Sequence, residues 1–477
     1  MTAIRRGWLH LATGAGVGRV LCFASNLMLS RFLGPLDLGL FNLVTTAVQT
    51  SDTLARCGGD YALNYELGGQ PEAMKTGNGA ELARALAQLC SLMTALICIG
   101  FAFWVGWGQG LFPTELSDTQ RLPLTVLLLL MIFLEGTSAP AWEMLLASHR
   151  TAPLALRQGL FFPLRLALAA AGALSSGVLG AMAGWVLVSL VQSFWLKWLL
   201  GNLWTPFQIF PFLGASVRRL LMRGVPFYAS NLLASIIFYP LLLRVAEESG
   251  LAEIGYLRVG QILQQLFAFV PATLVPVLFL KLRGESGFAD QVLFIERPLR
   301  VIWFILLELL LLYCIVDRYL ILLLFGSGFD SALLPTRVLL ITALCEGLSQ
   351  LIVQPFLAAG KIRIYGILQN GSAVTAAILG WLWIPSAGLT AYLIVRLIYV
   401  LAPLTGFGIP AIRFLQQPRK LLPLASVSIC LLFLLLHQAL YGYSPSLVVF
   451  SFGVMFLLVL YLQREDLPAL RQLLKSS

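Results

Sequence analysis

Leu122-Pro123-Leu124-Thr125-Val126-Leu127-Leu128-Leu129-Leu130-Met131-Ile132-Phe133-Leu134 carries no charge and runs directly into Glu135-Gly136-Thr137-Ser138. With its flanks it reaches the ~20 residues that a helix needs to cross a bilayer. In hydrocarbon only a helix or a closed barrel satisfies its own backbone polar groups. The run therefore reads as a membrane-spanning helix, and Leu421 to Leu436 reads the same way.

The remainder of the chain agrees with this start. Of 477 residues 59% are hydrophobic and 11% charged, with a mean hydropathy of +0.86; soluble proteins carry about 25% charged residues. Between the apolar segments no stretch is long enough for a separate soluble domain. The expectation is an all-α polytopic membrane protein of roughly fourteen spans. They are centred on 11–32, 38–64, 82–107, 122–148, 154–174, 177–199, 224–246, 255–280, 298–323, 333–358, 364–384, 388–410, 421–441 and 446–463. Arg5 and Arg6 precede the first segment, which runs on to Phe32 through Arg19; it reads as a retained span, not a cleaved signal.

Net charge is +10, and its distribution explains it. With both termini cytoplasmic, Arg218, Arg219 and Arg223, and Lys281, Arg283, Arg297 and Arg300, cluster on the cytoplasmic side. Only Arg31, Arg121, Arg258, Arg318 and Arg337 fall outside, as the positive-inside rule requires. No nucleic-acid partner is needed.

The element that ends the opening run recurs. Glu135-Gly136-Thr137-Ser138 aligns with Glu346-Gly347-Leu348-Ser349 at an offset of 211 positions, which also pairs Ala147 with Ala358, Arg150 with Lys361, Gln158 with Gln369 and Gly177 with Gly388. Gly39 pairs with Gly255 at 216. An even number of spans separates the partners, so the repeats are parallel. The expected layout is a six-helix lobe over 1–210, a second over 211–412, and two further helices with a tail over 413–477, with a central cavity suited to alternating access.

Polar residues inside spans face a cavity or an internal partner. Asn42, Thr45, Gln49, Asp52, Arg56 and Asp60 share one helix face by spacing. Asn26 and Arg19 mark a sparser stripe on the first span; Asn231 and Arg258, Gln261 and Gln265 mark the seventh and eighth. These are the expected cavity-lining positions. Arg19 has no acid within helical reach, whereas Arg56 reads equally as a ligand contact or as a local ion pair with Asp52 and Asp60. Guanidinium groups in a low-dielectric cleft suit a phosphate-bearing ligand. Glu135, Glu308 and Glu346 read as ion-coupling candidates or as partners of Arg165 and Arg396.

No catalytic residues, metal ligands or cofactor are expected. The seven cysteines fall in apolar segments without ligand spacing, His10, His149 and His437 are far apart, and the chain lacks a P-loop, a His-Glu-x-x-His motif and a Gly-x-Ser-x-Gly elbow.

Gly18-Arg19 through Asn26, followed by Leu29-Ser30-Arg31-Phe32-Leu33-Gly34-Pro35-Leu36-Asp37-Leu38-Gly39-Leu40-Phe41, closely resembles the start of bacterial polysaccharide transporters. These are O-antigen-type lipid-linked oligosaccharide flippases of the multidrug/oligosaccharidyl-lipid/polysaccharide (MOP) exporter superfamily. The resemblance implies a non-enzymatic, two-lobe flippase in the bacterial inner membrane. It would move a polyprenyl-pyrophosphate-linked glycan outward for O-antigen, capsule or exopolysaccharide synthesis. Arg19 and Arg56 are the implied headgroup contacts, with Arg258 a cavity candidate from the second lobe. Membrane lipid, and a polysaccharide polymerase with its assembly proteins, are the implied partners. A lipid II flippase and a cation-coupled multidrug exporter are the alternatives.

Overall fold

The computed structural model describes residues 2–67, 77–106, 118–148, 150–201, 214–282, 287–415 and Ser428. The expected spans over 421–441 and 446–463 lie outside them, apart from Ser428. Everything described is helix or short turn: α1 (Thr2–Arg56), α2 (Gly59–Leu67), α3 (Gly77–Gly106), α4 (Asp118–Ala147), α5 (Thr151–Leu156), a π-helical turn (Arg157–Phe161), α6 (Phe162–Leu200), α7 (Gly214–Ser249), α8 (Leu251–Leu282), α9 (Phe288–Phe325), a 3-10 turn (Ser327–Ala332), α10 (Leu333–Ala358) and α11 (Ile362–Ile412).

Among the described residues seven helical stretches are long and apolar enough to cross a membrane. Three of them, of 41, 49 and 50 residues, exceed a single crossing. Each bends where the sequence reading separated two spans: at Gly34 in α1, at Ser176–Gly177 in α6 and at Gly388 in α11.

Those bends carry the repeat into the backbone. Gly177 (φ 58°, ψ −136°) and its repeat partner Gly388 (φ 52°, ψ −128°) adopt one conformation, in a region that residues with a Cβ avoid. Gly34, offset by the same 216 positions from Gly250, also has positive φ, as does Gly250 between α7 and α8. Gly39 and Gly255 bring these elements together: a Cβ on Gly39 would strike the Leu251 carbonyl, and one on Gly255 the Pro35 carbonyl.

Backbone contacts divide the chain into two compact units, 1–255 and 256–477. Helix α7, placed by the repeat alignment in the second lobe, packs on α1, α2 and α3 of the first unit. Arg219 and Arg223 of α7 both reach Glu66 of α2 at 2.7 Å, and the Tyr228 hydroxyl donates to the Thr53 carbonyl at 2.5 Å. The apolar core beneath them includes Leu63, Leu86, Trp142, Met144 and Leu220. In the second unit α9, α10 and α11 pack in series.

Small residues set the closest approaches in unit 1. The two arms of α6 fold back on each other, Gly180 lying against Gly172 and Gly184 against Leu168. Gly14 and Gly18 of α1 lie against Ala155 of α5 and Gln158 of the π-turn. Both spacings are of the kind that lets membrane helices touch backbone to backbone.

Candidate functional site

Unit 1 gathers its intramembrane charges into a polar core built from α1, α4, the π-turn and α6. Arg56 ends α1. Its Nη2 and Nε engage both Asp52 carboxylate oxygens, at 2.7 and 3.2 Å, and its Nη1 lies 3.0 Å from Glu143 Oε1 and 3.7 Å from Asp60. Asp60 stands on α2, beyond a break at Cys57–Gly58 where both residues have positive φ. The stripe read as one helix face is therefore interrupted, yet Asp60 still meets Arg56. The ion-pair reading of Arg56 holds in this structure, and Glu143 joins it from α4. As a phosphate contact Arg56 would have to exchange carboxylates for phosphate.

A second network lies deeper. Glu135 of α4 accepts from Arg165 of α6 and from the Ser189 hydroxyl, each at 2.8 Å, and Arg165 also donates to Gln192 at 3.0 Å. Arg165 is 4% exposed. Removing either partner alone would strand a charge away from water. Glu135, read as a coupling acid or a partner of Arg165, is here its partner.

Between the networks lies Arg157, which the sequence reading passed over. It opens the π-turn. Pro163 has no N–H to offer the carbonyl four residues back, and the Phe162 N–H instead reaches Arg157 O across five residues. Such single-turn π-bulges concentrate at functional sites. The Arg157 guanidinium lies 4.5 Å from the Trp142 ring centroid and 5.0 Å from that of Phe162. It makes no hydrogen bond or ion pair among the described residues, and its Nε is sealed from solvent. The signal that flagged Arg19, a span arginine with no acid within helical reach, is present at 157 too.

The remaining expected positions scatter. Arg19 lies exposed on α1. Asn26 and Asn42 are buried, Asn26 donating to the Cys22 carbonyl of its own helix at 2.9 Å. Gln49 and Asn231 are exposed. In the second unit Arg258 is buried, Gln261 half-buried and Gln265 exposed. Both Glu308 carboxylate oxygens are buried without a hydrogen bond. Glu346 and Arg396 both lie within electrostatic range of Tyr399. Arg337, read as part of an external loop, is instead buried in α10 and paired with Asp317 of α9. Among the described residues no group of His, Cys, Asp and Glu is placed to hold a metal ion.

No family model matches the sequence, and no curated protein does. The fold is far more informative. The architecture is that of the MOP transporters, and the chain is a multi-pass membrane protein of that fold. One solved relative in shape is the lipid II flippase MurJ in an inward-closed conformation: TM-score 0.70, 12% identity, covering 96% of this chain and 99% of that one. An inward-facing multidrug resistance MATE transporter aligns at TM-score 0.60 and 16% identity, over 84% and 96%. A MOP transporter from Pyrococcus furiosus, described as having a binding pocket of reversed polarity that suggests a different function, aligns at 0.58 and 16%, over 87% and 96%. At these identities the likeness is one of fold. It does not single out polysaccharide transporters among the proteins that share this fold.

Proposed function

We propose that this chain is a flippase that moves a polyprenyl-pyrophosphate-linked oligosaccharide from the cytoplasmic to the external leaflet of the bacterial inner membrane, for surface polysaccharide synthesis. The observation that carries the proposal is a set of arginines, Arg19, Arg56, Arg157 and Arg165, on the membrane helices of one unit in a transporter fold. Guanidinium groups at such depth are costly unless they serve a partner, and phosphate is the anion they hold best. Arg19 is a proposed headgroup contact of the first unit, and Arg56 would become one only by exchanging its carboxylates for phosphate. Transport by alternating access would carry the headgroup while the lipid tail stays in the bilayer. A lipid II flippase is the second reading, favoured by the near-complete coverage of MurJ at TM-score 0.70.

The test is the leaflet distribution of the lipid-linked glycan in cells lacking the gene, complemented with wild type or with Arg19→Ala at matched expression. Accumulation in the cytoplasmic leaflet with loss of surface polysaccharide, rescued by wild type alone, is the expected result. Normal sidedness with normal surface polysaccharide, in a strain without a redundant flippase, refutes the surface-polysaccharide reading. Cytoplasmic accumulation of lipid II in its place would move the assignment to the second reading.

A further inference from the structure

The unit 1 polar core holds four carboxylates, Asp52, Asp60, Glu143 and Glu135, and three guanidinium groups, and among the described residues one guanidinium is bonded to none of them. Both Asp52 oxygens are held by Arg56, Glu143 is held by Arg56, and Glu135 Oε1 is shared by Arg165 and Ser189. The electrostatic neighbours of Arg157 are Arg56, Glu135, Asp52 and Arg165. Two of these repel it, and the two acids are already bonded elsewhere. Stacking on aromatic rings returns only part of what a guanidinium loses on leaving water. The arginine is therefore held here by aromatic rings and by charges at a distance, with no carboxylate bonded to it among the described residues.

Its setting is nevertheless built with care. Trp142 is 1% exposed and tilts against Trp195 at 6.0 Å, which in turn meets Phe161 at 5.3 Å. This aromatic block fixes the plane on which the guanidinium rests. Gly14 and Gly18 press α1 against the same segment. A guanidinium held over aromatic rings still carries the N–H fork that takes two phosphate oxygens at once. The residue as a whole keeps partial exposure, with the sealed Nε on its stem side.

We infer that Arg157 is an anion-binding residue of this unit, taking a phosphate or pyrophosphate group bidentately from its aromatic platform while Arg56 and Arg165 stay paired. The inference rests on the flippase reading for its ligand class and assigns a headgroup contact to a residue outside the pair expected from the sequence.

The experiment uses the purified full chain in detergent, with farnesyl pyrophosphate as probe, farnesol as the phosphate-free control and inorganic pyrophosphate as competitor. Thermal melting without ligand is recorded for every variant. Wild type should bind farnesyl pyrophosphate at least about tenfold more tightly than farnesol. Arg157→Gln should lose about tenfold or more of that affinity and melt no lower than wild type, because it removes an unbonded charge. Arg157→Lys, which keeps the charge without the fork, should lose about threefold. Inorganic pyrophosphate that competes against wild type but not against Arg157→Gln places the contact at the headgroup. Unchanged affinity in Arg157→Gln, or in Arg157→Lys if the glutamine variant does not fold, overturns the assignment and leaves the flippase reading standing. A wild type that binds farnesyl pyrophosphate no better than farnesol overturns both.

Discussion

The two units treat intramembrane charge in different ways. In unit 1, Arg56 draws in Asp52, Asp60 and Glu143, and Arg165 ties to Glu135, Ser189 and Gln192. In unit 2, Asp317 and Arg337 close on each other as a compact buried pair. Each unit also holds an unbonded ionisable group, the Arg157 guanidinium in the first and the Glu308 carboxyl in the second. Paired charges cost little to keep and much to break, whereas unbonded ones cost stability for as long as no ligand or proton meets them. The paired groups thus read as structure, and the unbonded ones mark where ligand chemistry would act.

The sharpest way to break that comparison is to split a pair. Glu135→Leu alone strands Arg165 and should cost about 3–5 kcal/mol, while adding Arg165→Leu should recover most of it. Chemical denaturation in detergent of both single variants and the double variant measures the coupling. A single-variant loss below about 1 kcal/mol would show that the network is ornamental. Next in size are the repeat-related bends: Gly177→Ala and Gly388→Ala should each cost about 1–3 kcal/mol, because a Cβ is strained at those dihedrals. Clearly unequal costs would mean that the shared conformation is not shared energetically. Arg56→Lys keeps its charge but cannot fork across Asp52 and Glu143, and should cost about 1–3 kcal/mol by the same assay. The smallest effect belongs to the unbonded groups: Arg157→Leu and Glu308→Leu should leave stability within about 1 kcal/mol of wild type or raise it. A clear loss at either would mean that the group has a structural partner.

Hydropathy and glycine placement made most of the fold legible. A chain this apolar has few options in a bilayer, and the Glu135/Glu346 and Gly177/Gly388 pairings already described a duplicated helical scaffold. The bends at Gly34, Gly177 and Gly388 fall between spans separated by composition alone. The site was less legible. Spacing placed Asp52 and Asp60 beside Arg56, since helix neighbours are local in sequence. It could not bring in Glu143 from α4 or Ser189 and Gln192 from α6, and it put Arg337 in an external loop, where the structure buries it in α10 against Asp317.

By itself, then, the sequence determined the membrane class, the helical periods, the internal repeat and the residue types able to carry charge into the bilayer. Those follow from one-dimensional patterns, because hydrophobic length and helix geometry act over neighbouring residues. Which charges are neutralised was decided only in three dimensions. Arg157 and Arg165 are alike as sequence, both span arginines with no acid within helical reach, whereas Arg56 has Asp52 and Asp60 beside it. Among the described residues, packing added Glu143 to the local partners of Arg56, gave Arg165 one carboxylate, and gave Arg157 an aromatic surface and no bonded counter-ion. Partners on other helices, such as Glu143 for Arg56 and Glu135 for Arg165, are set by distance across helices, and no spacing along the chain encodes that distance.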